Sequence, residues 1–263
     1  MHEALRVWLV AVSVDAARYL IAAGAAFLIF WVWGRERWRD RLIPAAFPRA
    51  AKLLHDFRWS MSTVLVFSLF GVAVVTAGRA GILQRYEGVG TYGWGWFAAS
   101  VVLLIVLQDT YFYWTHRAMH QRRLYRFFHR VHHVSIDPSP FTAYAFSPAE
   151  AIVHAAFVPL VWRFVPLHEG AVFVFLLFMV TRDVLGHLSI ELFRPGFTAS
   201  RFFGWSTTTT HHALHHRHFT ANYGLYFTFW DRLMGTTDRR YHDTFERVAG
   251  GRADTRIVAS SRR

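Results

Sequence analysis

An all-α, integral-membrane helical bundle is the fold class this sequence predicts, with about four to five membrane-embedded helices and a cytoplasmic His-rich helical cap. Three observations predict it. The 263-residue chain is 54% hydrophobic and 17% aromatic, with a mean hydropathy of +0.21, which is high for a soluble domain and ordinary for a membrane protein. Its apolar residues fall in runs near the roughly 20 residues needed to cross a bilayer. Its 16 histidines gather in clusters at helical spacing.

The first apolar run extends from Val7 to Trp33. It is too long for a simple signal peptide, and no small-residue cleavage site follows it. Asp15 and Arg18 inside it must pair or snorkel. The second run extends from Met61 to Leu83 and the third from Trp94 to Trp114. A fourth, Ala149 to Val165, is broken at Pro166 and followed by Gly170 to Leu192. These two arms read as a helical hairpin, each arm only just long enough to span.

Charge orients the runs. Segments 34–60, 115–148 and 193–263 are basic, whereas 84–93 is short and nearly uncharged. Arg35, Arg37, Arg39 and Arg41 follow the first run, and Arg122, Arg123 and Arg126 follow the third. The positive-inside rule puts these segments, and every histidine cluster, on the cytoplasmic side. The formal net charge of +12 is therefore read as a juxtamembrane surface for anionic lipid, not as a nucleic-acid site. We divide the chain into N-terminal transmembrane helices with a basic loop (1–108), a catalytic region (109–240) and a polar tail (241–263). The tail is expected to be disordered, most clearly from about Val248.

Cysteine is absent, which excludes disulfides, thiolate zinc sites and Cys-held iron–sulfur clusters. Histidine is left as the main metal ligand. His116 and His120 are four apart at the cytoplasmic end of the third helix, one turn apart on one face. His129, His132 and His133 repeat spacings of three and four, as do His212, His215 and His216, which are flanked by His211 and His218. Asp183 and His187 make a fourth pair at a spacing of four. Asp109, seven residues before His116, could orient a ligand imidazole through its second nitrogen.

A lone histidine at a membrane edge is usually a hydrogen-bonded or snorkelling residue, the reading given to His2, His55, His154, His168 and His242. Three boxes at repeated helical spacing are a different matter. The boxes hold eight histidines and His187 makes nine, more than one zinc ion takes, and they suit two metals of higher coordination. The ligand candidates are His116, His120, His129, His132, His133, His187, His212, His215 and His216. Asp183, His211, Asp109 and His218 are candidates for a direct or supporting role. Aromatic residues near the boxes, Tyr113, Trp114, Phe128 and Trp205 among them, could wall an apolar substrate tunnel or simply pack.

From Asp109 to Thr237 the sequence resembles the fatty acid hydroxylase / sterol desaturase superfamily. The resemblance is carried by Asp109-Thr-Tyr-Phe-Tyr-Trp-Thr-His116-Arg-Ala-Met-His120, by His129-Arg-Val-His132-His133, and by His211-His212-Ala-Leu-His215-His216. Asn222-Tyr223-Gly224 and Trp230-Asp231-Arg232-Leu-Met-Gly235-Thr236 complete it. It implies two iron ions held by the box histidines, O₂ as co-substrate, and a lipid substrate that enters from the bilayer. It also implies an external electron donor, cytochrome b5-like or ferredoxin-type. Two departures stand out. Phe146-Ser147-Pro148-Ala149-Glu150 occupies a place where many relatives read Phe-His-Pro-x-Glu. Asp183-Val-Leu-Gly186-His187 replaces an Asn-x-x-Gly-His or His-x-x-x-His pattern, which leaves Asp183 either a ligand or an orienting group.

The function expected is O₂-dependent hydroxylation or desaturation of an unactivated C–H position of a lipid such as a sterol or fatty acid. A zinc-dependent membrane hydrolase is the second class, but the chain has no His-Glu-x-x-His and His168-Glu169 is followed by no second histidine at the right distance. A metal carrier or transporter, the third class, would hold its ligands near the bilayer midplane, whereas these clusters lie at and beyond helix ends.

Overall fold

A computed structural model describes residues 2–44 and 48–251. Three of its helices are long and apolar enough to cross a membrane: Glu3–Trp33, Ala50–Arg79 and Gly93–Met119. The first combines α1 (His2–Ala26) with a π-helical continuation, Phe27–Trp33; the others are α2 (Ala50–Arg79) and α3 (Gly93–Met119). Asp15 and Arg18 pair with each other within α1, which resolves the two charges in the first run. Helix α2 begins eleven residues before the apolar run at Met61, because its polar first turns pack inward: Asp56 and Ser60 are fully buried.

The hairpin is α6 (Pro148–Trp162) and α7 (Glu169–Gly186). At 1.5 Å per residue the arms are about 22 and 27 Å long, slightly short of a bilayer core of about 30 Å. Ser147 caps α6, accepting from Glu150 N–H at 3.2 Å, with Pro148 in the first helical position where its missing N–H costs nothing. Helix α7 ends at Gly186, not at Leu192. The residues beyond it leave the helix to bond the loop after α1: Ile43 N–H donates to Ser189 O and Glu191 N–H to Arg41 O, both at 3.0 Å.

Two connections meet at the end opposite the histidines. Arg85–Tyr86 pairs in parallel with Leu167–His168, and Arg85 bonds Glu169 across the junction. Between the two ends, one apolar core (Tyr19, Val64, Tyr144, Val184, Leu188) joins α1, α2 and α7. A second (Leu104, Phe157, Leu167, Phe175) joins α3, α6 and α7.

The cap follows from short elements: α4 (Arg122–Tyr125), α5 (Arg130–His133), α8 (Thr209–His218), α9 (Phe229–Leu233) and α10 (Tyr241–Ala249). Helix α10 corrects the expectation of an unstructured tail from residue 241. Tyr241, Phe245 and Ala249 recur at spacings of four and bury one stripe against Leu214 of α8, a pattern hidden by the charges between them. The rest of the expected tail, residues 252–263, lies outside the described residues.

Candidate metal centre

Each of the nine histidines expected to bind metal falls into one of two groups. His116, His120, His129, His133 and His215 form the first, and His132, His187, His212 and His216 the second; within each group the ring nitrogens lie within 4.8 Å of one another. The groups abut, with ring centres 4.7 Å apart for His133 and His216 and 5.1 Å for His129 and His132. The boxes do not map one to a centre. At α5, His129 at the N-cap and His133 four residues on belong to the first group, while His132 turns to the second. On α8 the assignment is reversed: His212 and His216 serve the second group and His215 the first. Neighbours on a helix point about 100° apart, so one short helix can feed two adjacent centres.

The ring tautomers are set from outside. His116 Nδ1 donates to Tyr223 O at 2.9 Å, His215 Nδ1 to Ala221 O at 2.7 Å, His216 Nδ1 to Ser135 O at 2.9 Å and His187 Nδ1 to Asp183 O at 2.8 Å. His129 Nδ1 donates to the Glu150 carboxylate at 2.5 Å. A carbonyl can only accept, so these Nδ1 atoms hold the proton and each Nε2 presents a lone pair inward. His116 Nε2 and His129 Nε2, 2.9 Å apart, are therefore two lone pairs facing each other, a contact that repels on its own and that a shared cation would offset. Closest Nε2 separations in both groups run from 2.9 to 3.2 Å. Donors about 2.1 Å from one ion and at right angles to each other are about 3.0 Å apart, so the geometry fits metal ligation.

Burial keeps the rings in the ligating form. It pushes His129, His132, His133, His212, His215 and His216 well below the usual imidazole range, with neighbouring imidazoles adding to the effect, and lowers His120 to about 4.

The supporting candidates separate. Asp183 Oδ1 lies 3.2 Å from His187 Nδ1, on the side of the ring away from the second group. Asp109 does not touch an imidazole; its carboxylate accepts from Tyr226 and Phe227 N–H at 2.8 and 3.1 Å and holds the loop before α9. His211 faces Asp231 Oδ2 at 3.2 Å, and His218 faces Asp238 at 2.5 Å; neither joins a group. Of the aromatic candidates, Tyr113 is fully buried, bonded to Thr236 at 2.9 Å and stacked on Trp230. Phe128 is half-buried, and Trp114 and Trp205 are exposed. None of the four lines the cleft of 40 Å³ that reaches His212 between Leu185, Leu192, Phe193 and Leu225. His154 stacks on Phe112 near Glu150, and His168 sits at the far end of the bundle.

Sequence reasoning assigned no role to Glu150, to Asp56 or to the carboxylate of Asp231. Glu150 stands in the Pro-x-Glu stretch after Ser147, and that motif was the available signal. The Ser147 hydroxyl donates to Phe128 O at 2.6 Å. Asp231 accepts from Tyr223 N–H, Gly224 N–H and the Thr236 hydroxyl, each at 2.8 Å, which explains why two separate motifs belong together. It fixes the turn whose Tyr223 carbonyl orients His116. A side chain at Gly224 would collide with Phe227 O and with Asp231 itself. Asp56 accepts from Ser135 and Thr142 at 2.5 and 2.6 Å, bracing the loop whose Ser135 carbonyl orients His216.

Comparison with known proteins gives the same direction. The fatty acid hydroxylase family model matches residues 101–236. A Delta(7)-sterol 5(6)-desaturase, erg3C, of Aspergillus fumigatus is 30% identical over 69% of this chain and 61% of its own length. Lathosterol oxidase of Rattus norvegicus is 33% identical over 59% and 51%, and C-4 methylsterol oxidase erg25 of Schizosaccharomyces pombe 31% identical over 54% and 48%. The chain thus spans about half to three fifths of the length of these three relatives. No solved structure matches it. A family match over half the sequence, centred on the segments that carry the converging imidazoles, shows that the chain belongs to the fatty acid hydroxylase / sterol desaturase superfamily.

Proposed function

We propose that this chain is a membrane-bound, O₂-dependent oxidoreductase that hydroxylates or desaturates an unactivated C–H position of a lipid. His116, His120, His129, His133 and His215 would hold one iron ion, and His132, His187, His212 and His216 a second. The observation that carries the reading is the pair of abutting groups whose Nε2 lone pairs converge. Bound there, the irons would supply the electrons for O₂ reduction and the oxidising power for the C–H bond.

The chain's own residues do the positioning. Glu150 and the carbonyls of Ser135, Asp183, Ala221 and Tyr223 hold protons on Nδ1 of His129, His216, His187, His215 and His116, so those five rings keep Nε2 turned inward. Phe146 and Phe112 pack against His132 and His116 and keep water from that side. The cleft beside His212 is the approach for the reacting carbon. At 40 Å³ it has room for about one water, so a lipid requires it to widen. Arg182 lines it and donates to Ser206 and Thr207 at 3.2–3.3 Å.

Three relatives bear names of sterol oxidases and desaturases, which makes a sterol the first substrate to test. The family resemblance carried by the histidine boxes supports a cytochrome b5-like or ferredoxin-type protein as the electron donor. The positive-inside rule puts the histidine cap on the cytoplasmic side, where such donors reside.

Purified protein is expected to carry two irons and to oxidise the lipid only with O₂ and reductant. Host lipids should gain one oxygen atom or lose two hydrogens when the gene is present. His132→Ala and His215→Ala should each lose iron. Full activity in both, or zinc content with O₂-independent turnover, would overturn the proposal.

A further inference from the structure

Between Glu191 and Asp231 the sequence has no acidic residue, and in and around that stretch large apolar side chains stand in the open. Phe202 is 76% exposed and Phe203 62%, in the turn 201–205; Phe229 of α9 is 58% exposed and Leu233 62%. Trp205 and Trp114 are each about half exposed. The turn and the helix form one surface. Arg232 of α9 donates to Gly204 O at 2.5 Å, Thr228 N–H donates to Trp205 O at 2.8 Å, and Ser206 pairs with Phe227. Six such side chains at these exposures leave roughly 600 Å² of apolar surface, at the top of what a water-soluble monomer carries.

Position says what covers it. Trp230 Nε1–H donates to Thr110 Oγ1 at 3.1 Å, and its ring meets Trp114 at 5.4 Å, so Trp230 anchors α9 to α3 within the part of that helix long and apolar enough to cross a membrane. On α3, Val102, Val106 and Trp114 form an exposed stripe at multiples of four that runs straight to α9. The exposed face of α9 therefore continues a lipid-facing surface. Arg201 and Arg232 supply cations and the stretch supplies no exposed carboxylate, as an anionic headgroup layer favours; tryptophans and arginines beside apolar rings suit that boundary.

We infer that the 201–205 turn and α9 form an amphipathic shelf bedded in the membrane leaflet next to the histidine cap, so that the cap is held in the lipid interface rather than projecting into water. The shelf is joined to the 206–209 segment that walls the cleft to His212, and bedding it would open that cleft's neighbourhood to lipid rather than to solvent. The inference does not rest on the metals: it stands on exposure, charge and depth.

The chain contains no cysteine, so single cysteines label uniquely. Full-length Phe203→Cys, Leu233→Cys and Arg239→Cys would be spin-labelled in nanodiscs containing anionic phospholipid, and collision with O₂ compared with collision with a water-soluble nickel chelate. The O₂-to-nickel ratio is expected to be several-fold higher at 203 and 233 than at 239. Equal ratios at all three sites would overturn the shelf. So would labels at 203 and 233 shielded from both probes, which would mean a protein partner or a second copy covers the surface. As a check independent of substitution, a photoactivatable phospholipid should crosslink to residues 201–205 and 229–233 of the unmodified chain; absence of crosslinks there, with crosslinks on α3, would also overturn it.

Discussion

Replacing Glu150 should weaken one metal and spare the other. Its carboxylate is fully buried and accepts from His129 Nδ1–H at 2.5 Å, and it contacts no imidazole of the second group. A hydrogen bond to a charged acceptor contributes about 1.5–3 kcal/mol and a neutral one about 1 kcal/mol. Glu150→Gln keeps an oxygen facing Nδ1–H and should lose about 1 kcal/mol, roughly fivefold in affinity. Glu150→Ala leaves that N–H buried without an acceptor, at about 1–3 kcal/mol, and frees the His129 ring to turn. Partners of this kind are typically worth about 10–100-fold in metal affinity. Chelator competition on iron-loaded protein reads the effect as two release phases. One of the two should move to lower chelator in the order wild type, Gln, Ala, while the other stays fixed. Coincident shifts of both phases, or no shift with alanine, would refute the division of labour drawn here.

Four other outcomes follow from the same contacts. His133→Ala should deplete the first group and His132→Ala the second, although the residues are adjacent; Mössbauer spectra of the remaining iron should differ between the two variants. Asp231→Asn sets an amide among three donors that now meet a carboxylate, and should lower stability by about 2–5 kcal/mol in a thermal melt and loosen His116. Phe245→Ala should cost about 3–5 kcal/mol if α10 is core, whereas a loose tail would tolerate it without a change in melting temperature. The metal-free protein should lose stability as pH falls. Burial holds its box histidines below the ordinary 6.5, so the unfolded chain takes up protons near 6.5 that the folded chain refuses until well below it, about 4 at His120. The slope, about 1.4 kcal/mol per pH unit for each such histidine, should appear between these limits and vanish above pH 7.5. A flat melting temperature from pH 7.5 to 5 would contradict the burial of these rings.

What could be read in advance was local. Apolar runs announce helices because a bilayer demands about 20 residues of one character, and the histidine spacings of three and four announce shared faces because a helix turns every 3.6 residues. Those two regularities located α1, α3, the hairpin and all nine converging imidazoles. They also overstated one thing: sharing a helix face does not mean sharing a centre. His132 and His133 part company because the two groups press against α5 from different sides, a fact of packing among α3, α5, α7 and α8. Glu150 was signalled only by its Pro-x-Glu stretch, and the carbonyls of Ser135, Ala221 and Tyr223 carry no sequence signature at all, since a backbone oxygen looks the same in every residue. The reach of α2 back to Ala50, the stop of α7 at Gly186 and the folding of α10 were likewise decided by partners distant in the chain. Composition and period set which atoms were available; only the tertiary structure, by bringing remote segments within 3 Å, decided which lone pairs meet.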